Sequence, residues 1–225
     1  MPDYAKYVEV ARAAVAEACV VCRQVQSALD QVRSITKDDL SPVTVADFAS
    51  QAIIGRALRA ALGRGVILVA EETSHFLRGR EHDAHLTATL EAVSAVWPQA
   101  SADELLDAID VGAGDTHHGG FWTLDPIDGT KGFLRGQQYA VVGRGQADAY
   151  LRLPAKKGYI ERIWDHAAGS LIATEGGCFV TDIHGRALDF SHGRGLQKNV
   201  GIVCAPPRVH GALIEAIDVL GIEAE

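Results

Sequence analysis

Asp125-Pro126-Ile127-Asp128-Gly129-Thr130 is the stretch in which residue types and spacing point most directly to chemistry. Two carboxylates stand three residues apart around a proline and are followed by glycine and threonine. Pro126 has no N–H and cannot extend a strand ladder. Gly129 allows a tight bend that brings backbone carbonyls close to a ligand. Two like charges held this near each other repel unless a cation lies between them. Hard oxygen ligands of this kind suit magnesium or manganese, and Thr130 can orient a water. The same residues could equally form a polar turn with solvated aspartates.

Three further acidic spots share this logic. Glu71 and Glu72 follow the apolar run Val66-Ile67-Leu68-Val69-Ala70, at the strand end where α/β sheets place their ligands. Asp165 lies in Trp164-Asp165-His166-Ala167-Ala168-Gly169, where it reads as a helix N-cap with one oxygen left for metal. Asp47 follows Ser41-Pro42-Val43-Thr44-Val45-Ala46, where its charge would complement a helix start.

The elements that must position these residues alternate between helix and strand. Tyr4, Val8, Ala11, Val15, Ala18, Cys22, Val25, Leu29 and Val32 recur at spacings of four and three, predicting one helix over 4–32 with an apolar stripe. A second helix is expected over about 45–62, stopped by Gly63 and Gly65. Val66–Ala70 reads as a strand buried on both faces. Residues 84–97 read as helical, and Ser101-x-x-Glu104 is a capping box opening a helix to about 110. Strands are expected at 121–124, and as a pair at 139–143 and 147–153. In the second of the pair, Ala147, Ala149, Leu151 and Leu153 form an apolar face opposite Asp148, Tyr150 and Arg152. A helix over 165–175, strands at 178–181 and 200–204, and a last helix from Pro207 complete a layered α/β pattern. The expected domains are 1–140, carrying most metal ligands, and a shortened 141–225.

Composition narrows the function classes. The 225 residues are 48% apolar and 22% charged, enough to bury a core and too apolar for disorder. There is no transmembrane-length apolar run and no secretory leader pattern at Met1-Pro2-Asp3-Tyr4-Ala5-Lys6, so a cytoplasmic protein is expected. The formal charge of −8 argues against a nucleic-acid polymer as partner. It also means that an anionic substrate needs local positive charge. Cys19, Cys22, Cys178 and Cys204 are too sparse for a disulfide scaffold. The C-x-x-C pair is read as part of the helix's apolar face, because no second pair completes a zinc site. His117-His118, Lys156-Lys157 and Arg78-Gly79-Arg80 read as loop or surface residues.

The Asp-Pro-Ile-Asp-Gly-Thr and Trp-Asp-His-Ala-Ala-Gly motifs, with the segments around Asp47 and Glu71 in the same order, resemble the magnesium-dependent, lithium-sensitive inositol monophosphatase superfamily. Lys131-Gly132-Phe133, Ser41-Pro42-Val43-Thr44 and Tyr150-Leu151-Arg152-Leu153-Pro154 resemble its bisphosphate nucleotidase branch, whose members remove the 3′-phosphate of 3′-phosphoadenosine 5′-phosphate in sulfur metabolism. The resemblance implies a layered αβαβα sugar-phosphatase-like fold. It implies that Glu71, Asp125 and the carbonyl of Ile127 hold one Mg2+, and that Asp125, Asp128 and Asp165 hold a second. It implies that Asp47 and Thr130 activate the attacking water. Arg152 would meet the nucleotide, Thr130 and Asp165 would lie against the substrate, and Lys131 is a further candidate phosphate contact. The implied partner is a small phosphomonoester, with no membrane partner and with oligomerisation open.

One departure stands out. Arg144-Gly145-Gln146-Ala147-Asp148-Ala149-Tyr150 follows Gly136-Gln137-Gln138-Tyr139-Ala140-Val141 almost at once. In relatives a long segment of the second domain separates the two, including an Asp-Ser-Gln-x-Lys-Tyr stretch that helps hold the nucleotide. Its absence leaves three expectations open: a bisphosphate nucleotidase with weakened substrate affinity, a phosphatase of inositol phosphates or other small phosphomonoesters, or an inactive remnant.

Overall fold

The computed structural model describes residues 4–32, 42–116, 120–127, 138–154 and 158–222. The chain divides into two compact units, Met1–Asp115 with Gly120–Ile127, and Thr116–Gly119 with Asp128–Glu225. Helices and short strands alternate through both, an α/β chain. Among the described residues no helix is long and apolar enough to cross a membrane.

In the first unit α1 (Tyr4–Val32) packs along α2 (Pro42–Leu62). The buried face of α1 is Ala14, Ala18 and Val21, with Val10 and Val25 packed beside it. Tyr4, Val8 and Val15 of the expected stripe are exposed. The packed row is Val10, Ala14, Ala18, Val21 and Val25, which shares Ala18 and Val25 with the expected stripe and lies to one side of Val8 and Val15. Cys19 is exposed as well, so only half-buried Cys22 of the C-x-x-C pair belongs to the packed side.

Strand β1 (Leu68–Ala70) is buried at all three positions and pairs in parallel with β2 (Trp122–Leu124). Helices α3 (Asp83–Val93) and α4 (Ala102–Ile109) close the same core against α2. The capping box at Ser101 forms as expected: its Oγ accepts from the Glu104 N–H, and the Glu104 carboxylate accepts from the Ser101 N–H. Helix α3 ends at Val93, four residues before Trp97, and a turn follows.

The second unit holds α5 (Gln138–Gly143), β3 (Tyr150–Arg152), α6 (Ile163–Glu175), β4 (Phe179–Thr181), β5 (Ile202–Ala205) and α7 (Pro207–Val219). Its three strands form an antiparallel sheet in the order β3-β5-β4. The strand expected at 139–143 is the short helix α5 instead. Tyr139 and Val142, three residues apart, fall on one helical face and are both buried. Strand β3 finds its partner in β5, with Tyr150 opposite Cys204 and Arg152 opposite Ile202. At 147–149 the expected alternation holds, with Asp148 exposed between half-buried Ala147 and Ala149, but within β3 its sense is reversed: Leu151 is 41% exposed, while Tyr150 and Arg152 are half-buried.

Candidate active site

In the first unit an acidic cluster is built at the carboxyl ends of β1 and β2. Ala70 and Leu124 are the last registered pair, so Glu71 and Asp125 are the next residue on each strand. The Glu71 N–H donates to the Leu124 carbonyl at 3.3 Å, carrying the parallel pairing one residue beyond the ladder. Parallel strands point their next residues the same way along the sheet, so two carboxylates leave one edge together.

Helix α2 fixes both turns from one face. The fully buried Gln51 donates from Nε2 to the Glu72 carbonyl at 2.7 Å and to the Ile109 carbonyl at 2.9 Å, and its Oε1 accepts from the Glu72 N–H at 3.0 Å. One turn earlier on the same helix, Asp47 lies half-buried near Glu71 and Glu72. Ser50 Oγ donates to the Pro126 carbonyl at 3.3 Å, which ties the Asp-Pro-Ile-Asp turn to the same helix. A side chain on Gly112 would meet the Gln51 amide at 2.6 Å and Ala70 Cβ at 2.7 Å, so glycine is needed for this close approach. Gln51 was not singled out in the sequence. A glutamine three or four residues from the acidic position on the same helix face was the available signal.

This cluster is electrostatically tense. Burial first, then Glu72 and Glu71, raise the Asp47 carboxyl to about 7, and burial with Glu71 raises Glu72 to about 7. Crowded, partly dehydrated oxygen donors resist ionisation until a cation joins them. Hard divalent cations favour an all-oxygen donor set of this kind, and the residues present fit one. Asp47 sits one turn inside α2, which starts at Pro42, so its charge does not serve the helix start.

In the second unit a separate cluster lies at the start of α6. Asp165 is the third residue of this helix, not its N-cap; Arg162 holds that position and makes no side-chain cap. Donor atoms of Glu161, Asp165 and His166 lie within 4.8 Å of one another, a spacing compatible with a cation. Glu161 also receives Arg152, whose Nε donates to its Oε1 at 2.8 Å. His166 Nε2 lies 3.1 Å from Glu161 Oε2, and its Nδ1 lies 2.7 Å from the Tyr139 hydroxyl. Burial pushes the Tyr139 phenol well above its usual range, so it keeps its proton. Any side chain at Gly169 would collide with the Tyr139 ring, which accounts for the glycine closing Trp-Asp-His-Ala-Ala-Gly. Glu161 and Tyr139 were not predicted from sequence, since each owes its role to partners brought in by the fold.

Of the candidate residues, Asp47, Glu71, Asp125 and Ile127 fall in the first unit, and Arg152 and Asp165 in the second. Asp128, Thr130 and Lys131 lie outside the described residues.

Comparison with known proteins gives this arrangement a lineage. The profile described as the inositol monophosphatase family matches residues 3–142 and 138–220, nearly the whole chain in two pieces that meet at α5. The chain belongs to the inositol monophosphatase family, and thus to a class of phosphatases. Among curated proteins it is similar to the 3'(2'),5'-bisphosphate nucleotidase of Schizosaccharomyces pombe, 29% identical over 336 positions that cover 92% of this chain and 94% of that protein. It is also similar to the 3'(2'),5'-bisphosphate nucleotidase of Emericella nidulans, at 27% over 315 positions, with 82% and 90% covered. The 3',5'-bisphosphate nucleotidase 2 of Arabidopsis thaliana matches at 27% over 336 positions, with 96% of each covered. Each alignment is longer than the 225-residue chain, so each opens long gaps in it.

Proposed function

We propose that this protein is a Mg2+-dependent phosphatase that releases the 3′-phosphate of 3′-phosphoadenosine 5′-phosphate, giving AMP and inorganic phosphate. The observation that carries the reading is the register of β1 and β2, which sets Glu71 beside Asp125 within reach of the helix that bears Asp47. The names of the similar proteins support the substrate class.

Glu71, Asp125 and the Ile127 carbonyl hold one ion in this reading, and Asp125, Asp128 and Asp165 a second. Bound divalent cations supply charge neutralisation at the phosphoryl oxygens and lower the pKa of water. Four carboxylates balance two such cations, which lets an acidic chain accept a polyanion. Asp47, half-buried on α2 near Glu71 and Glu72, accepts the proton of the attacking water together with Thr130. Arg152, half-exposed on β3, binds the substrate as a fixed cation, with Lys131 a second contact.

The test is phosphate release from 3′-phosphoadenosine 5′-phosphate by the purified chain, with and without Mg2+, beside Asp128→Ala. Magnesium-dependent release that the variant abolishes is the expected result. No release from folded protein overturns the reading. The long gaps in the alignments favour a second reading, a phosphatase with broader tolerance for small phosphomonoesters. Turnover of inositol 1-phosphate at a rate equal to that of the adenosine bisphosphate would select it.

A further inference from the structure

We infer that Glu161 is a positioning residue that orients the guanidinium of Arg152 for the substrate and locks it to the helix carrying Asp165. The inference rests on the proposed role of Arg152 as a substrate contact.

The Glu161 side chain is 10% exposed and sits between two cationic or protic partners. Its Oε1 accepts from Arg152 Nε at 2.8 Å, and its Oε2 faces His166 Nε2 at 3.1 Å. An ionised carboxylate is acceptor only, so His166 carries its proton on Nε2. Nδ1 lies 2.7 Å from the Tyr139 hydroxyl, the second hydrogen bond of the ring. The result is a chain in which Tyr139 bonds His166, His166 donates to Glu161, and Arg152 donates to Glu161 from the other side.

The same three groups, Glu161, Asp165 and His166, are spaced for a cation. Both Glu161 oxygens and both His166 nitrogens are already committed to protein partners, however. Glu161 and His166 are thus already engaged in the network that holds the guanidinium.

The side of the guanidinium that is used matters. Glu161 takes Nε, Nη2 reaches the Tyr159 hydroxyl at 3.4 Å, and the Tyr150 hydroxyl also bonds the guanidinium. Binding through Nε fixes the plane of the fork. Strand β3 is three residues long and Leu151 on it faces solvent, so side-chain packing alone holds Arg152 weakly. The reversed alternation of β3 follows: the strand turns its polar face inward because Glu161 is there to meet it.

The experiment measures kcat and KM for 3′-phosphoadenosine 5′-phosphate, and the Kd of the same nucleotide by calorimetry, on wild type, Glu161→Gln, Arg152→Ala and the double variant. Glu161→Gln is expected to raise KM and Kd about 10-fold or more, the usual scale for breaking a buried charge pair, with kcat within about 3-fold. Arg152→Ala is expected to do the same, and the double variant to be no worse than Arg152→Ala alone. Tyr139→Phe, which removes one hydroxyl from the far end of the chain, is expected to raise KM less and leave kcat intact. It serves as the readout if Glu161→Gln does not fold. Equal loss in kcat and kcat/KM, additive losses in the double variant, or unchanged KM and Kd in folded variants would each overturn the inference. A wild type that binds without turnover, with the Kd pattern intact, sinks the phosphatase reading and leaves this one standing. A wild type that does not bind the nucleotide sinks both.

Discussion

Glu71 and Asp125 are neighbours because Ala70 and Leu124 are partners. The two acids are each one residue past the last registered pair of β1 and β2, and the Glu71 N–H donates to the Leu124 carbonyl at 3.3 Å. Residues 54 positions apart in sequence thus present carboxylates at one sheet edge. The first prediction concerns this pair. Asp125→Asn keeps the shape and removes the charge, and is expected to lower Mg2+-dependent turnover on the order of 100-fold or more. A cation at 100 times its Kd stabilises a folded protein by about 2.7 kcal/mol. Thermal melts with and without Mg2+ are therefore expected to show a shift in wild type and none in Asp125→Asn. An equal shift in both would remove Asp125 from the ligand set.

The acid cluster makes stability depend on pH in a definite direction. Asp47 and Glu72 are raised from 3.8 and 4.5 to about 7 in the folded chain. The folded state therefore holds more protons than the unfolded state across this window, and stability falls as pH rises from about 4 through about 7. Urea unfolding in chelator is expected to show this loss relative to Asp47→Asn/Glu72→Gln. Added Mg2+ is expected to flatten the difference, because the cation replaces the protons. A wild-type-minus-variant difference that rises with pH would contradict the cluster.

Gln51 supports the acids without touching a ligand. Gln51→Leu would leave the Glu72 N–H, the Glu72 carbonyl and the Ile109 carbonyl without their side-chain partner. The expected cost is on the order of 3 kcal/mol, from buried polar groups worth about 1–3 kcal/mol each. Denaturant titration checks this, and weaker Mg2+ binding at permissive temperature is expected beside it.

Gly169 and Tyr139 form a matched pair on α6 and α5. Gly169→Ala is expected to destabilise the protein by about 1–3 kcal/mol, the usual range for overpacking. Replacing the ring as well, in Gly169→Ala/Tyr139→Leu, should recover part of that loss. Additive losses in unfolding titrations would show that the two residues do not share space.

Local pattern was enough for much of this protein. The Ser101 capping box and the helix across 4–32 rest on interactions between residues close in sequence, which a single chain displays directly. The acidic motifs marked the family in the same way, since their residues lie close together in the chain. The tertiary structure decided what local pattern leaves free. A four-three stripe says that α1 has an apolar side, but packing against α2 chose Ala14, Ala18 and Val21 over Val8 and Val15. Alternation in β3 says that its two faces differ, and nothing local says which faces in; Glu161, nine residues beyond Arg152, settled that by pairing with it. Residues 139–143 read as a strand from sequence, whereas in the fold they form α5, with buried Tyr139 and Val142, packed against α6. A strand needs a neighbour to hold its backbone hydrogen bonds, whereas one turn of helix holds its own.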